Sequence, residues 1–440
     1  MGATLTSVLP LLREHYNNQT AIDIFYTSNK DVNPLMAAMD AIADTGEGFG
    51  RQLIVPITYG HPTSTGADFT KVLAKAAGST AGSASINDRW TINPVTIDGV
   101  VQWTRDAMDA VEGRGAKETA RVMTQEMDGG IESIRKQIAT YAFGDGTGTL
   151  ATILTVASTG FTVAADLGNR FHEGMDVSTS TTAIAAVKNA AGTPNLLVTG
   201  VDYLNASGTT TVYTSTDPTD TGAGRTAQAI GDYVFNYNDH PNAGLAAYAN
   251  YVQPWGTAAW LPGASVTDAT AFNGITRDGK SKLAGLTYAC GTLDPENAFL
   301  NALGLLFTTT GTKADMLICN PADYNAWSAQ KDKALNVAIN LGKYNLGFDG
   351  ITIKSLAGNV PVVPDAMCPK GEFIAGPFKS KDWAPRLVYV GQLVQIDDKD
   401  GQMFTRSASA TAYQMRMYFR GNIVFPAPGR FVRGTGLTIT

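Results

Sequence analysis

Ala120-Arg121-Val122-Met123-Thr124-Gln125-Glu126-Met127-Asp128-Gly129-Gly130-Ile131-Glu132-Ser133-Ile134-Arg135-Lys136-Gln137-Ile138-Ala139-Thr140-Tyr141 is the stretch from which the fold is read. Ala120, Met123, Met127, Ile131, Ile134, Ile138 and Tyr141 follow one another at intervals of 3, 4, 4, 3, 4 and 3 residues. That spacing draws one apolar stripe along a helix and predicts a helix over 115–143. Arg121, Gln125, Glu132 and Lys136 lie away from the stripe. Gly129-Gly130 sits mid-helix, where each glycine costs roughly 1 kcal/mol relative to alanine. Two readings follow: close packing of the helix on a sheet, or a bending point. Gly144-Asp145-Gly146 ends the helix.

Toward the N-terminus, Arg51 to Tyr59 is a strand candidate in which Pro56 predicts an edge or bulge position. Its return is expected through Arg89 to Asn93 and Val95 to Val100. The connection between them, Gly60 to Asn87, is rich in Gly, Ser, Thr and Ala, with Phe69, Val72 and Leu73 as its only large apolar residues. So long a connection has little core of its own and is expected to be mobile or pinned by a neighbour, of which pinning by another subunit is the more useful reading. Residues 1–50 read as an extended or partly helical arm.

Toward the C-terminus, residues 150–238 are dominated by Val, Ile, Thr, Ala and Gly, with turn clusters at Thr193-Pro194-Asn195, Ala206-Ser207-Gly208 and Pro218 to Gly224. They predict a small β-barrel or sandwich inserted into another domain. From about 244 the pattern is mixed. Asp294-Pro295 reads as an N-cap with proline at the first helical position, and Asn320-Pro321 as a second. Short strands are expected at Met316 to Cys319, Ile351 to Ile353, Val360 to Val363 and Glu372 to Ile374. Two more are expected at Leu387 to Val390 and Tyr413 to Tyr418.

Composition narrows the function. The chain has 440 residues, enough for two or three subdomains. Charged residues are 16% of it, against a typical value of about 25%. A surface so short of charge fits β-structure rich in Thr, Ser and Gly, or large areas covered by partner subunits. A net charge of −6, with no run of Lys or Arg beyond two, argues against a dedicated nucleic-acid binder. Three widely spaced cysteines, Cys290, Cys319 and Cys368, form neither a metal pair nor a disulfide framework and are expected as reduced thiols. The first ten residues lack the features of a signal peptide, and no apolar run is long enough to span a bilayer. A soluble protein made inside the cell is therefore expected.

Groups for chemistry are few. His15, His61, His172 and His240 lie in polar or turn contexts, none at metal-ligand spacing. No nucleophile elbow or phosphate-binding lysine loop occurs. Gly144 to Gly148 follows a helix instead of leading into one, so it reads as a helix stop. Asp397-Asp398-Lys399-Asp400-Gly401 offers oxygen ligands, yet lacks the spacing of a calcium loop and reads as a turn. Trp90, Trp103, Trp255 and Trp260 read as core or interface anchors. No catalytic residue, cofactor or metal is expected, and the leading class is a structural or binding protein.

The order of these elements resembles that of the major capsid (head) proteins of tailed bacteriophages, whose fold is shared with encapsulins and the floor of the herpesvirus capsid. The local patterns carrying the resemblance are Leu53 to Gly60, Phe272-Asn273-Gly274-Ile275-Thr276-Arg277, Met316 to Tyr324, Gly358 to Asp365, and Cys368-Pro369-Lys370-Gly371. The resemblance implies an α+β fold. Its parts would be an N-terminal arm (1–50), an extended β-hairpin loop (51–105) and a peripheral domain with a long spine helix (106–150). After these would come an inserted small β-domain (151–240), an axial α/β domain (241–380) and C-terminal strands returning to both domains (381–440). It implies a subunit that self-assembles into the icosahedral head shell around double-stranded DNA, present in the virion and assembled in the bacterial host cytoplasm.

The implied partners are the chain itself, in hexamers and pentamers, with scaffolding, portal and decoration proteins; DNA would be met only non-specifically, and no membrane is involved. Phe69, Lys71, Val72, Leu73 and Lys75 would make inter-subunit contacts from the extended loop. Gly129 and Gly130 would let the spine helix bend during shell maturation. Some relatives cross-link a loop Lys to an Asn; Lys71 and Lys75 lie in the right loop, but no partner Asn or catalytic carboxylate is matched, so that chemistry is not carried over. An encapsulin-like compartment shell is the nearer alternative reading, and a secreted β-rich enzyme or adhesin the more distant one.

Overall fold

The computed structural model describes residues 34–44, 53–61, 68, 70, 85–104, 116–183, 188, 196–203, 208–220, 226–236, 253–262, 271–330, 352–356, 358–390, 393–396, 405–406 and 412–437. The fold is α+β, with the long helix lying against a sheet whose strands come from both ends of the chain.

That sheet is organised by Ala412–Val424, where Met415, Met417 and Phe419 alternate inward and Arg416 faces solvent. The strand runs antiparallel to Val95–Thr104 along that strand's whole length, and antiparallel to Arg386–Val390 further on. Asp40–Asp44 adds to Arg386–Val390 in parallel. The return strand expected from the sequence therefore splits. Ile86–Ile92 pairs with Leu53–Gly60 as a separate two-stranded hairpin, while Val95–Thr104 leaves for the sheet. Asn93-Pro94 divides them, because proline has no N–H to continue a ladder. Asn422 secures the division from its buried position. Its Nδ2 donates to Asn93 O at 2.9 Å, and its Oδ1 accepts from Trp255 N at 2.9 Å.

The long helix, Ala116–Tyr141, packs on Val95–Thr104 and Ala412–Val424. Ile134, Ile138 and Tyr141 are buried and Met127 and Ile131 partly so; the side chains of Ala120 and Met123 lie outside the described residues. Lys136 lies away from the apolar stripe, yet it is buried. It is 5% exposed, because a second body of structure covers another face of the helix.

That body is a seven-stranded sheet drawn entirely from Thr149 to Asn236. Its two edge strands, Thr149–Thr152 and Thr155–Ala157, are joined by Ile153 and Leu154 alone, so the ends meet and the strands form a ring. Phe161, Val163, Phe171, Val177, Val198, Val212 and Val234 fill it.

A second six-stranded sheet takes the order Leu286–Ala289, Val432–Thr435, Phe373–Gly376, Met316–Cys319, Gly358–Pro364, Thr352–Ser355. Helices Pro295–Thr310 and Pro321–Gln330 belong with it, and Phe299 meets Phe373 and Trp327 edge-on with ring centroids 4.8 and 5.8 Å apart. Asn320 caps the second helix through Ala322 N at 2.8 Å. Asp294 does not cap the first through a backbone N–H. Its carboxylate accepts from the Asn297 side chain at 2.6 Å instead.

Asp365 ties the short helix Pro34–Ala38 to this second sheet. Fully buried, it accepts the N–H of Leu35 at 3.0 Å and of Met367 at 2.9 Å. Burial pushes its carboxyl up to about 7, against the pull of those two donors. The folded chain thus keeps this proton where the unfolded chain has lost it. Its stabilising contribution is fully present below the ordinary carboxylate range and is lost as pH rises through about 7. Denaturant unfolding across that window is expected to show stability falling with pH, and Asp365→Asn is expected to flatten the fall. An unchanged slope in the variant would assign it to other groups.

Candidate functional site: the projecting hairpin and the long helix

Leu53–Gly60 and Ile86–Ile92 make a hairpin rooted in the body at one end and open at the other. At the root, Trp90 and Ile92 are completely buried; beyond them Ile86, Asn87, Asp88 and Arg89 are all exposed. On the facing strand Leu53, Val55, Ile57 and Tyr59 lean on the core, while Ile54, Pro56 and Thr58 face solvent. Ile54 and Ile86 are 50% and 44% exposed. A two-stranded hairpin is at best marginally stable alone, so its order derives from the root.

The root is an aromatic cluster. Trp260 meets Trp90 and Phe272 edge-on at 5.2 and 5.0 Å, and Trp255 meets Phe272 at 4.6 Å. Trp260 Nε1 donates to Ile423 O at 3.0 Å, which joins the hairpin root to the central sheet. Phe272 is delivered by a tight turn through Asn273 and Gly274, and Asn273 O accepts Thr91 N at 2.8 Å. Arg277 covers Phe272 at 3.7 Å and donates to Ala259 O at 2.9 Å. Three of the four tryptophans singled out by sequence thus serve the core in one cluster, and Trp103 is buried elsewhere in the same core.

Beneath the hairpin lies a groove of about 660 Å³ bordered by Ile57, Tyr59, Lys282, Trp383, Arg386 and Arg430. Arg430 stacks on Trp383 at 3.7 Å, and Lys282 Nζ donates to Tyr59 O at 3.4 Å. Phe69, Lys71, Val72, Leu73 and Lys75, expected to make inter-subunit contacts, lie outside the described residues, as does the acidic stretch 397–401.

Gly129 and Gly130 are not equivalent. A Cβ on Gly129 would meet nothing within 4 Å, whereas one on Gly130 would lie 2.2 Å from Met417 Cε and 2.7 Å from Val101 Cγ2. Gly130 therefore lets the helix approach the sheet closely.

Among the described residues the titratable groups form no catalytic constellation. Cys290, Cys319 and Cys368 are buried, and burial pushes their thiols up, Cys290 to about 11, which keeps them protonated. His61 is exposed; His15 and His240 lie outside the described residues. Burial, aided by the charge of Lys136, pushes His172 down to about 4. Among the described residues no group of three or more His, Cys, Asp and Glu could hold a metal ion, and no helix is long and apolar enough to cross a membrane. Gly144 to Gly148 is a turn in which Asp145 accepts the Thr147 N–H at 3.0 Å.

No family model matches the sequence, and no curated protein matches it. Among solved structures, the chain is similar to a subunit of the cyanophage A-1(L) capsid, with 10% identity, 95% of this chain and 97% of that chain covered, and a TM-score of 0.47. It is similar to the capsid of Myoviridae phage XM1, with 10% identity, 96% and 98% covered, and a TM-score of 0.41. It is also similar to the holo-SrpI encapsulin complex from Synechococcus elongatus PCC 7942, with 7% identity, 97% and 96% covered, and a TM-score of 0.40. These are likenesses of chain course between this protein and shell subunits.

Proposed function

We propose that this chain is the major capsid protein of a tailed bacteriophage, a structural subunit that assembles in many copies into the shell around the packaged genome. The observation that carries the reading is the hairpin. A rigid aromatic root holds out two strands whose apolar residues Ile54 and Ile86 face solvent in the isolated chain. The hairpin's inner face, Leu53, Val55, Ile57 and Tyr59, packs on its own subunit, and its exposed apolar face is of use to a neighbour. Repeated around a closed symmetric assembly, one modest strap contact per subunit accumulates into a stable shell. In this reading parts of the arm 1–50 and of the loop 51–105 reach neighbouring subunits in hexamers and pentamers, while Pro34–Ala38, Asp40–Asp44 and Val95–Thr104 stay within their own subunit. The long helix is the spine of the peripheral domain, 241–380 is axial, and the ring within 151–240 is an insertion. Scaffolding, portal and decoration proteins would be further partners in the virion. A net charge of −6 suits a wall that encloses DNA without gripping it.

Replacing Ile54 and Ile86 together with lysine tests the strap. Both positions are solvent-exposed, so the subunit's own stability should change by no more than about 0.5 kcal/mol per site. Assembly should be lost, as read by sedimentation. Shells forming as readily as in the parent chain would remove the hairpin from the interface.

A further inference from the structure

The strand Val95–Thr104 uses only one of its edges. Along its whole length it pairs with Ala412–Val424, and its other edge pairs with no strand among the described residues. Ten residues of extended chain thus present about 34 Å of backbone away from the sheet. Proteins blunt such edges with lysine, proline, a bulge or short length, because an open edge is a template for another strand. This edge is not blunted. It contains neither Lys nor Pro, its register with Ala412–Val424 runs without a bulge, and Asp98 is its one charged residue.

One face of the strand is already covered by the long helix. Ile97 and Trp103 are buried there, and a Cβ on Gly99 would lie 3.0 Å from Ile134 Cδ1. The other face carries Thr96, Asp98, Val100 and Gln102. Val100 is 59% exposed, more than any other large apolar residue in a described strand. Its cross-strand neighbour within the subunit is Arg416, which leaves the valine uncovered.

The sequence of the edge is complementary to itself. A second copy turned about a two-fold axis normal to the sheet runs antiparallel to the first and keeps like faces together. Centring that register on Asp98 would oppose two carboxylates, which is destabilising. Centring it on Gly99 or Val101 would set Val100 against Asp98 or Gln102. Centring it on Val100 sets valine against valine and Asp98 against Gln102, with pairing held from Thr96 to Thr104. The two Asp98 residues then stand about 14 Å apart along the strands, beyond the screening length of about 8 Å at physiological salt.

We propose that the free edge of Val95–Thr104 pairs with the same edge of a second copy, in the register centred on Val100, and so joins two subunits through one continuous sheet. This contact is separate from that of the projecting hairpin. It rests on the shell reading only in that a shell brings many copies together.

Cysteine cross-linking of the full chain reads the register. Val100→Cys is expected to give a covalent dimer on mild oxidation with copper phenanthroline, because strand pairing sets the two Cα atoms about 4.5–5.5 Å apart, within disulfide range. The native cysteines Cys290, Cys319 and Cys368 are buried and should give no background. Asp98→Cys alone should not cross-link, whereas Asp98→Cys combined with Gln102→Cys should. Particle formation is read separately by light scattering. Shells in which Val100→Cys does not cross-link overturn the inference, as does an equal yield from Asp98→Cys alone. Dimers without shells support the strand pairing and count against the shell reading; absence of both overturns both.

Discussion

Trp260→Ala should lower the unfolding free energy by about 3–5 kcal/mol, the range for removing a large aromatic side chain from a packed core. Trp260 is completely buried, with Trp90 and Phe272 edge-on around it and Phe425 at 6.3 Å. Alanine would open a cavity between the hairpin root, the Phe272 turn and the central sheet. Those three segments are far apart in sequence, so no local rearrangement closes the gap. The substitution also strands the Ile423 carbonyl that Trp260 Nε1 now serves, adding about 1 kcal/mol. Urea denaturation measures the loss. Hydrogen exchange should rise first in Leu53–Gly60 and Ile86–Ile92, because the hairpin takes its order from this root. Trp260→Phe keeps the ring and loses only the N–H, and should cost much less. A Trp260→Ala loss below about 1 kcal/mol would mean that the cluster does not anchor the hairpin.

The second large effect comes from the paired glycines, whose substitutions should act in opposite directions. Gly129→Ala meets open space and gains the helix propensity of alanine, so the chain should become more stable by up to about 1 kcal/mol. Gly130→Leu forces its side chain against Val101 and the buried Met417, and overpacking of this kind costs about 1–3 kcal/mol. Met417 Cε ends a flexible chain but is enclosed by core, and the Val101 methyl is fixed by its strand. Thermal unfolding of the two variants reads the sign directly.

The same pair separates packing from bending. Gly130 has a packing reason to be glycine; Gly129 has none in this conformation, so the proposed bending of the helix during maturation falls on Gly129. Gly129→Ala should then slow or block shell expansion, as seen by electron microscopy, in a chain that is otherwise more stable. Normal expansion in that variant would leave Gly130 as a packing residue and the helix as a rigid spine.

What the sequence could reveal depended on how local each signal is. The helix was legible because Met127, Ile131, Ile134, Ile138 and Tyr141 repeat a short period, and these residues do face the core. The burial of Lys136 was not legible for a related reason. A stripe analysis assumes one covered face, while this helix lies between the sheet and the ring, and a charged residue on the second face carries no sequence mark. Strand existence was legible at Met316–Cys319 and Ala412–Val424, where the apolar pattern is strong. Pairing was not. Nothing local in Val95–Thr104 says that its partner lies some three hundred residues away. The burial of Asp365 and Arg170 is likewise a product of tertiary packing. Of the candidate site, the hairpin was legible from Leu53 to Gly60 and its tryptophan anchor from Trp90, but the aromatic cluster that fixes it needed the fold.

On the proposed reading, the chain builds a closed shell. Expression of the full chain, with the product sized by light scattering and imaged by negative-stain electron microscopy, tests it most directly. The account predicts closed particles of uniform diameter built from many copies. A chain that stays monomeric at high concentration would contradict it.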